Sequence, residues 1–478
     1  MISRLGLWIS AGFRRTAPDP LVIAVLLSVV VMAVAVVWGY PAAGGGPGGA
    51  ARVGAGERAA RVMDAWGPGL WSLLPFTMQM CVVLVTGHAV ASSRPMRRVL
   101  GRVASLPRGT GSAAALVSVA ACAGALVNWG LGLIVGAVLA REVGRSLTAR
   151  GIRAHYPLIV AAGYVGLMVW HGGLSGSAPL SMTTTANAAR SLPAGVVEQF
   201  GPRGGGAWLG LDRTTFAWFN VMITGGLVVL SPVVFALLAP RRVEEMRPVE
   251  EFAGGGVERV EEKGGVGERG GRVPEWLERS PVVAWVLAAG LVVVLVRFGA
   301  RAGLATIGLN EVNGAMLALG LVLHGSARSY AAAVDEGARG CGGIIVQFPL
   351  YAGIMGVMRE SGLAKMLADA FVEMSTPGTL PVLTFVSAGL LNLCIPSGGG
   401  QWAVQGPIAL EAASSAGVDP GRMVMAVAYG DQLTNMLQPF WALPLLAVTG
   451  VRARDIVGYT AIVMVVAGVW IGVGLVVW

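Results

Sequence analysis

Two asparagines stand where apolar stretches of the chain cannot continue as plain helix. The first opens Asn128-Trp129-Gly130-Leu131-Gly132; the second opens Asn392-Leu393-Cys394-Ile395-Pro396-Ser397-Gly398-Gly399-Gly400. Glycine weakens a helix and asparagine bonds locally, so the first run is a natural break. Pro396 removes a donor and three glycines follow it, so the second cannot be continuous helix. A helix restarting after such a break presents free N–H groups with partial positive charge, suited to a carboxylate. Glycine lets a ligand approach the main chain closely. The residue types therefore point to anion binding by Asn128, Trp129, Gly130, Asn392, Ser397, Gly398, Gly399, Gly400, Gln401 and Trp402. Trp129 and Trp402 would wall an alkyl end, or pack or anchor as tryptophans commonly do. For either asparagine the plain alternative is a hydrogen bond between helices.

A second interrupted segment comes after each break. One reads Gly172-Gly173-Leu174-Ser175-Gly176-Ser177-Ala178-Pro179; the other reads Tyr429-Gly430-Asp431-Gln432, then Asn435 and Gln438-Pro439-Phe440-Trp441. Asp431 is an acid inside an apolar stretch, where ionisable groups are costly and usually functional. It is suited to carry a coupling proton or bind a cation, with Asn435, Ser175 and Ser177 beside the same breaks. Structural pairing or capping is its alternative role. The coupling ion, H⁺ or Na⁺, stays open. His88 and His171 are lesser proton-relay candidates. The four histidines and the unpaired Cys81, Cys122, Cys341 and Cys394 form no metal or catalytic set. No nucleotide loop, zinc helix or nucleophile elbow is present, so neither a cofactor nor an enzyme activity is expected.

Such sites need a membrane around them. Of 478 residues, 55% are hydrophobic and 13% charged, against about a quarter charged in soluble domains. Candidate crossings are 20–38, 66–91, 156–180, 214–238, 281–297, 304–324, 341–358, 422–448 and 456–478. The net charge of +9 is mostly arginine and reads as loop topology, since no nucleic-acid module accompanies it. Ile2, Leu5, Trp8 and Ile9 predict an interfacial helix within 1–19.

The stretches 112–140 and 380–410 behave differently. Arg94, Arg97, Arg98, Arg102 and Arg108 precede the first, and Arg141, Arg145, Arg150 and Arg153 come after it. Both ends then face the cytoplasm, which requires a re-entrant hairpin. The flanks of the second carry Arg359, Lys365 and Arg422 against Glu360, Asp369, Glu373, Glu411 and Asp419, and this acidic balance predicts that it opens oppositely. Gln79 and Gln347, Asn128 and Asn392, Tyr164 and Tyr429, and Pro179 and Pro444 recur 268, 264, 265 and 265 residues apart. An extra crossing, 304–324, replaces the Gly-rich loop 41–60 and inverts every later segment of the second half. The predicted fold is an all-α polytopic membrane protein with two inverted-topology repeats, each carrying a re-entrant helical hairpin and an interrupted helix. The repeats are 20–238 and 281–478, joined by a cytoplasmic linker, 239–280, expected to lack fixed structure. Parallel copies, or no repeat, are the alternatives.

At these motifs the chain resembles the short-chain fatty acid transporter family (AtoE type) over nearly its whole length. Matching blocks include Asn128-Trp129-Gly130, Val346-Gln347-Phe348-Pro349, Ile395-Pro396-Ser397-Gly398-Gly399-Gly400, Gln405-Gly406-Pro407 and Gln438-Pro439-Phe440-Trp441-Ala442-Leu443-Pro444. The resemblance implies a multi-pass protein of the bacterial inner membrane, N-terminus cytoplasmic, importing acetoacetate, butyrate or similar acids. It also implies membership of a larger ion-transporter group with paired re-entrant hairpins. Three positions depart from the family pattern: Gln401 where His is expected, His171 where Gly is expected, and Asp431 where Glu is common. Importing an anion against about 100 mV costs ~2.3 kcal/mol, so cation symport is expected. A dicarboxylate carrier or exchanger is the nearest alternative, a membrane-embedded enzyme or channel a remoter one. The partners are the carboxylate and the lipid bilayer, with a homodimer compatible and nucleic acid excluded.

Overall fold

The structure, a computed structural model, describes residues 2–16, 18–40, 54–183, 209–253, 272–302 and 309–478. Among these residues every regular element is a helix, and eight helical runs are long and apolar enough to cross a membrane. The chain is thus an all-helical polytopic membrane protein. The expected Gly-rich loop 41–60 is partly replaced by helix, since Ala55 begins α3 (Ala55–Trp71), which leads into α4 (Leu74–Ser92). The start of the 304–324 crossing lies outside the described residues; the rest is Leu309–His324.

Before these stand α1 (Ile2–Thr16) and α2 (Pro20–Trp38). Asp19 accepts a hydrogen bond from the Leu21 amide, and Pro20 starts α2 where no amide donor is needed. After α5 (Arg94–Ala104) comes the first hairpin, α6 (Thr110–Val127) and α7 (Trp129–Ala149). The break falls at Asn128, as expected, but the arms extend beyond 112–140 at both ends. The interrupted helix is α8 (Tyr156–Tyr164), two 3₁₀ turns to Gly172, and α9 (Ser177–Ser181), and α10 (Trp218–Leu238) closes this half.

The second half runs through α11 (Pro281–Ala302), α12 (Leu309–His324), α13 (Ala327–Ala338), α14 (Gly342–Glu360) and α15 (Leu363–Glu373). Its hairpin is α16 (Leu380–Asn392) and α17 (Gly398–Ala416). Thirteen residues of α16 reach about 20 Å, short of a ~30 Å hydrocarbon core. Gly417 (φ +67°) ends the hairpin in the left-handed region that glycine tolerates. Then come α18 (Pro420–Thr434), a 3₁₀ turn at Asn435–Leu437, α19 (Pro439–Thr449) and α20 (Ala453–Val477). The second break therefore lies at 435–438, not at Tyr429–Gln432, which are continuous helix. Pro439 at the start of α19 sets that position, because Gln438 before it takes an extended conformation.

Contacts between loop ends sort the termini into two faces. On one, the His155 amide donates to Thr110 Oγ1 (3.0 Å), Arg150 donates to the Ser105 and Pro107 carbonyls, and Arg247 binds Asp455 at the start of α20. On the other, the Tyr40 amide donates to the Ser361 carbonyl (2.7 Å), Arg213 pairs with Asp419, and Arg422 reaches Leu475 near the end of α20. The first hairpin opens where α20 begins; the second opens where it ends.

One packing contact repeats at constant separation. A Cβ on Gly166 would meet the Ala121 carbonyl of α6 at 2.6 Å, and a Cβ on Gly430 would meet the Phe385 carbonyl of α16 at 2.3 Å. Residues 121 and 385, 166 and 430, and the asparagines 128 and 392 are all 264 apart. In each half a glycine lets the interrupted helix touch the hairpin's first arm backbone to backbone.

The linker departs from expectation. Residues 243–253 fold onto the first face, where Arg247 pairs with Glu251 and Asp455 and its carbonyl accepts from the Tyr156 amide (2.8 Å). The Arg247 amide donates to His155 Nδ1 (3.1 Å), and Tyr459 Oη lies 2.9 Å from His155 Nε2. Burial, with the charges of Arg247 and Arg14, pushes the His155 imidazole down to about 3. The unfolded ring binds a proton below about 6.5 and the folded one does not, so this contribution is complete above that value and shrinks as pH falls. The thermal midpoint of purified protein should drop between pH 7 and 5.5, and drop less in His155→Gln. Equal drops would remove His155 from the account.

Candidate substrate and ion site

At the first tip, Asn128 has extended backbone (φ −155°, ψ 131°), ending α6 and capping α7. Its Oδ1 accepts from the Gly130 amide (2.9 Å) and the Leu131 amide (3.3 Å). The Trp129 amide donates to Ser175 Oγ (3.0 Å). The donors expected to be free here are thus used internally, because the cap that allows the break also consumes them. Asn128, Gly130 and Ser175 hold the tip's shape through these bonds. The Trp129 ring instead joins an aromatic wall, 6.2 Å from Trp170, 5.1 Å from Trp441 and 6.1 Å from Phe76 between ring centres.

The second tip keeps its donors. Ser397 Oγ caps α17 by accepting from the Gly400 amide (3.2 Å), while the Gly398 and Gly399 amides have no partner among the described residues. A Cβ on Gly399 would meet nothing within 4 Å; one on Gly400 would meet Met355 Sδ at 3.2 Å. Asn392 is tied to the interrupted helix: its Nδ2 donates to the Asp431 carbonyl (2.6 Å), Thr434 Oγ1 (3.0 Å) and Asn435 Oδ1 (2.9 Å). Its carbonyl accepts from Gln438 Nε2. Gln401 turns into the hairpin, donating to the Ala388 carbonyl (2.9 Å) and Gln405 Oε1 (3.1 Å), so it braces the two arms. Trp402 is fully buried. Asn392, Gln401 and Trp402 thus have structural contacts that their sequence alone did not display. Ser177 is half-buried beside the first break.

The two interrupted helices lock each other. Tyr164 donates to the carbonyls of Asn435 and Gln438 (2.8 and 3.0 Å), and Asn435 Nδ2 donates to the Leu167 carbonyl (3.4 Å). Tyr429 donates to Asn220 Oδ1 (2.8 Å), and Asn220 Nδ2 donates to the Gly172 carbonyl (3.0 Å). Asn220 carried no sequence signal; it sits in an ordinary apolar crossing. The His171 amide donates to Gln432 Oε1 (3.0 Å).

This interlock brings His171 of one half to Asp431 of the other, with Nε2 3.2 Å from Oδ2 and both side chains almost wholly buried. His171 also borders the second tip, since a Cβ on Gly398 would meet its Nε2 at 2.6 Å. The pairing was invisible in sequence because 260 positions separate the two residues. Around them Asn392 Oδ1, Asp431 Oδ1, Gln432 Nε2 and Gln438 Oε1 are buried without partners. Native proteins rarely leave such atoms unpaired unless water or a ligand reaches them. No Lys or Arg occurs in 156–181, 380–416 or 423–449. Among the described residues no three of His, Cys, Asp or Glu cluster as metal ligands do.

Broken helices held inside protein, with polar atoms converging at the breaks, are an architecture of membrane transporters. The chain belongs to the family described as "Short chain fatty acid transporter", whose model matches residues 1–478. An Escherichia coli (strain K12) protein named "Putative short-chain fatty acid transporter" is 35% identical over 477 residues, 99% of each chain. A Haemophilus influenzae protein of the same name is 34% identical over 459 residues, 96% of each. Among solved structures, the Alcanivorax borkumensis YdaH transporter aligns with 96% of this chain and 99% of its own, at 17% identity and a TM-score of 0.43.

Proposed function

We propose that this protein imports short-chain monocarboxylates such as acetoacetate and butyrate by cation symport and alternating access, across the cytoplasmic membrane of a bacterium. Its halves are inverted repeats, with the arginine-rich ends and the N-terminus in the cytoplasm. The observation that carries the reading is the second tip: unpartnered Gly398 and Gly399 amides open a helix beside a buried polar cluster free of Lys and Arg. Neutral donors suit one negative charge better than two, which favours a monocarboxylate over a dicarboxylate. The Trp129, Trp170 and Trp441 wall suits a short alkyl chain.

Uptake of labelled butyrate into proteoliposomes, above that of protein-free vesicles, tests the reading under separate Na⁺ and pH gradients. Neighbouring acids should compete within about fourfold per methylene, since each CH₂ contributes ~0.8 kcal/mol. Butyramide should not compete. Equal competition by acid and amide would contradict an anion site. Asn392→Ala should raise the half-saturation concentration, through loss of its ties to Asp431 and Asn435.

A further inference from the structure

We infer that His171 and Asp431 form a single proton-binding site that must be protonated before the carboxylate binds, making H⁺ the coupling ion at one per substrate. The inference rests on the carboxylate reading of the second tip.

The geometry carries it. Nε2 of His171 and Oδ2 of Asp431 are 3.2 Å apart. Both ring nitrogens of His171 and Oδ1 of Asp431 are buried without a hydrogen-bond partner, so the pair is in close approach with room for a proton to complete the contact. The same imidazole lies against Gly398, where a Cβ would come within 2.6 Å of Nε2. An anion on the Gly398 and Gly399 amides therefore sits beside the pair. With one proton shared, the pair has no net charge; with none, Asp431 is a buried negative charge facing a second one. Like charges at this range in a low-dielectric interior exclude each other, so binding the anion requires the proton.

Among the described residues no charged group relieves that repulsion. The packed elements α9, α10, α16 and the two 3₁₀ turns contain no other acid or base, and α6 contributes only Cys122. On α18, Tyr429 is engaged with Asn220 and Arg422 with Leu475. On α17, Glu411 is exposed at the far end. On α20, Arg454, Asp455 and Tyr459 lie in its first two turns, with Asp455 bound to Arg247. The proton thus links the two halves, since each supplies one partner.

Calorimetric titration of purified protein with butyrate from pH 6 to 9.5, with and without Na⁺, tests this. Affinity should fall about tenfold per pH unit above the pair's midpoint, with proton uptake approaching one per butyrate. Asp431→Asn should flatten the profile, and His171→Gln, which retains the acid, should move its midpoint. A flat wild-type profile, a wild-type profile in both variants, or binding that requires Na⁺ and ignores pH would overturn the proton site while leaving the carboxylate reading intact. Absence of any butyrate binding would overturn the carboxylate reading, and the proton site with it.

Discussion

Gly398→Ala is expected to cut butyrate uptake by at least about fivefold while the protein stays folded. The added methyl would lie 2.6 Å from His171 Nε2 and 3.0 Å from the Trp170 ring. His171 is walled by Trp170 at 3.6 Å between ring centres, so the imidazole has little room to retreat. Overpacking of this kind costs about 1–3 kcal/mol, or about 5- to 150-fold in a binding constant, and here it falls on the tip and the His171–Asp431 contact together. The neighbouring position is the control: Gly399→Ala meets nothing within 4 Å and should shift half-saturation by less than about threefold, there being no overpacking to relieve. Initial rates in proteoliposomes, normalised to monodisperse protein, distinguish the two. Equal behaviour of the variants would mean that the close approach at Gly398 has no part in transport.

Valine at Gly430 or at Gly166 should remove most of the folded protein. Both glycines place a main chain directly on a hairpin arm, with Cβ positions 2.3 Å from the Phe385 carbonyl and 2.6 Å from the Ala121 carbonyl. A carbonyl in a helix cannot swing away as a flexible side chain can, so the arms must part along their length. The two effects should be of similar size, because the contacts occupy matching places 264 residues apart. Size-exclusion profiles after solubilisation read this out. A wild-type profile from either variant would break the equivalence of the two halves.

Much of this architecture was legible because broken helices leave marks. Asn128 and the Pro396-to-Gly400 run located both hairpin turns. The site was less legible. Asn128 reads as a ligand in sequence, yet its side chain caps α7, a role that depends on how the chain turns at that residue. Gln401 looks like a tip residue, but one helical step decides whether it faces the cavity or the opposing arm, and it faces the arm. His171 and Asp431 lie in different halves, so no spacing announces them. The folded part of the linker was missed because Arg247 owes its order to Asp455 and His155, both distant in sequence.

Protection of a single cysteine tests the placement of the substrate most directly. Gly399→Cys, in a background with Cys394 replaced by alanine, puts a thiol at the open position of the second tip; Cys81, Cys122 and Cys341 are buried. Butyrate should slow its alkylation in reconstituted protein saturably, with half-protection at the concentration that half-saturates transport, and butyramide should not. Alkylation at an unchanged rate under saturating butyrate, in protein that still transports it, would place the carboxylate elsewhere.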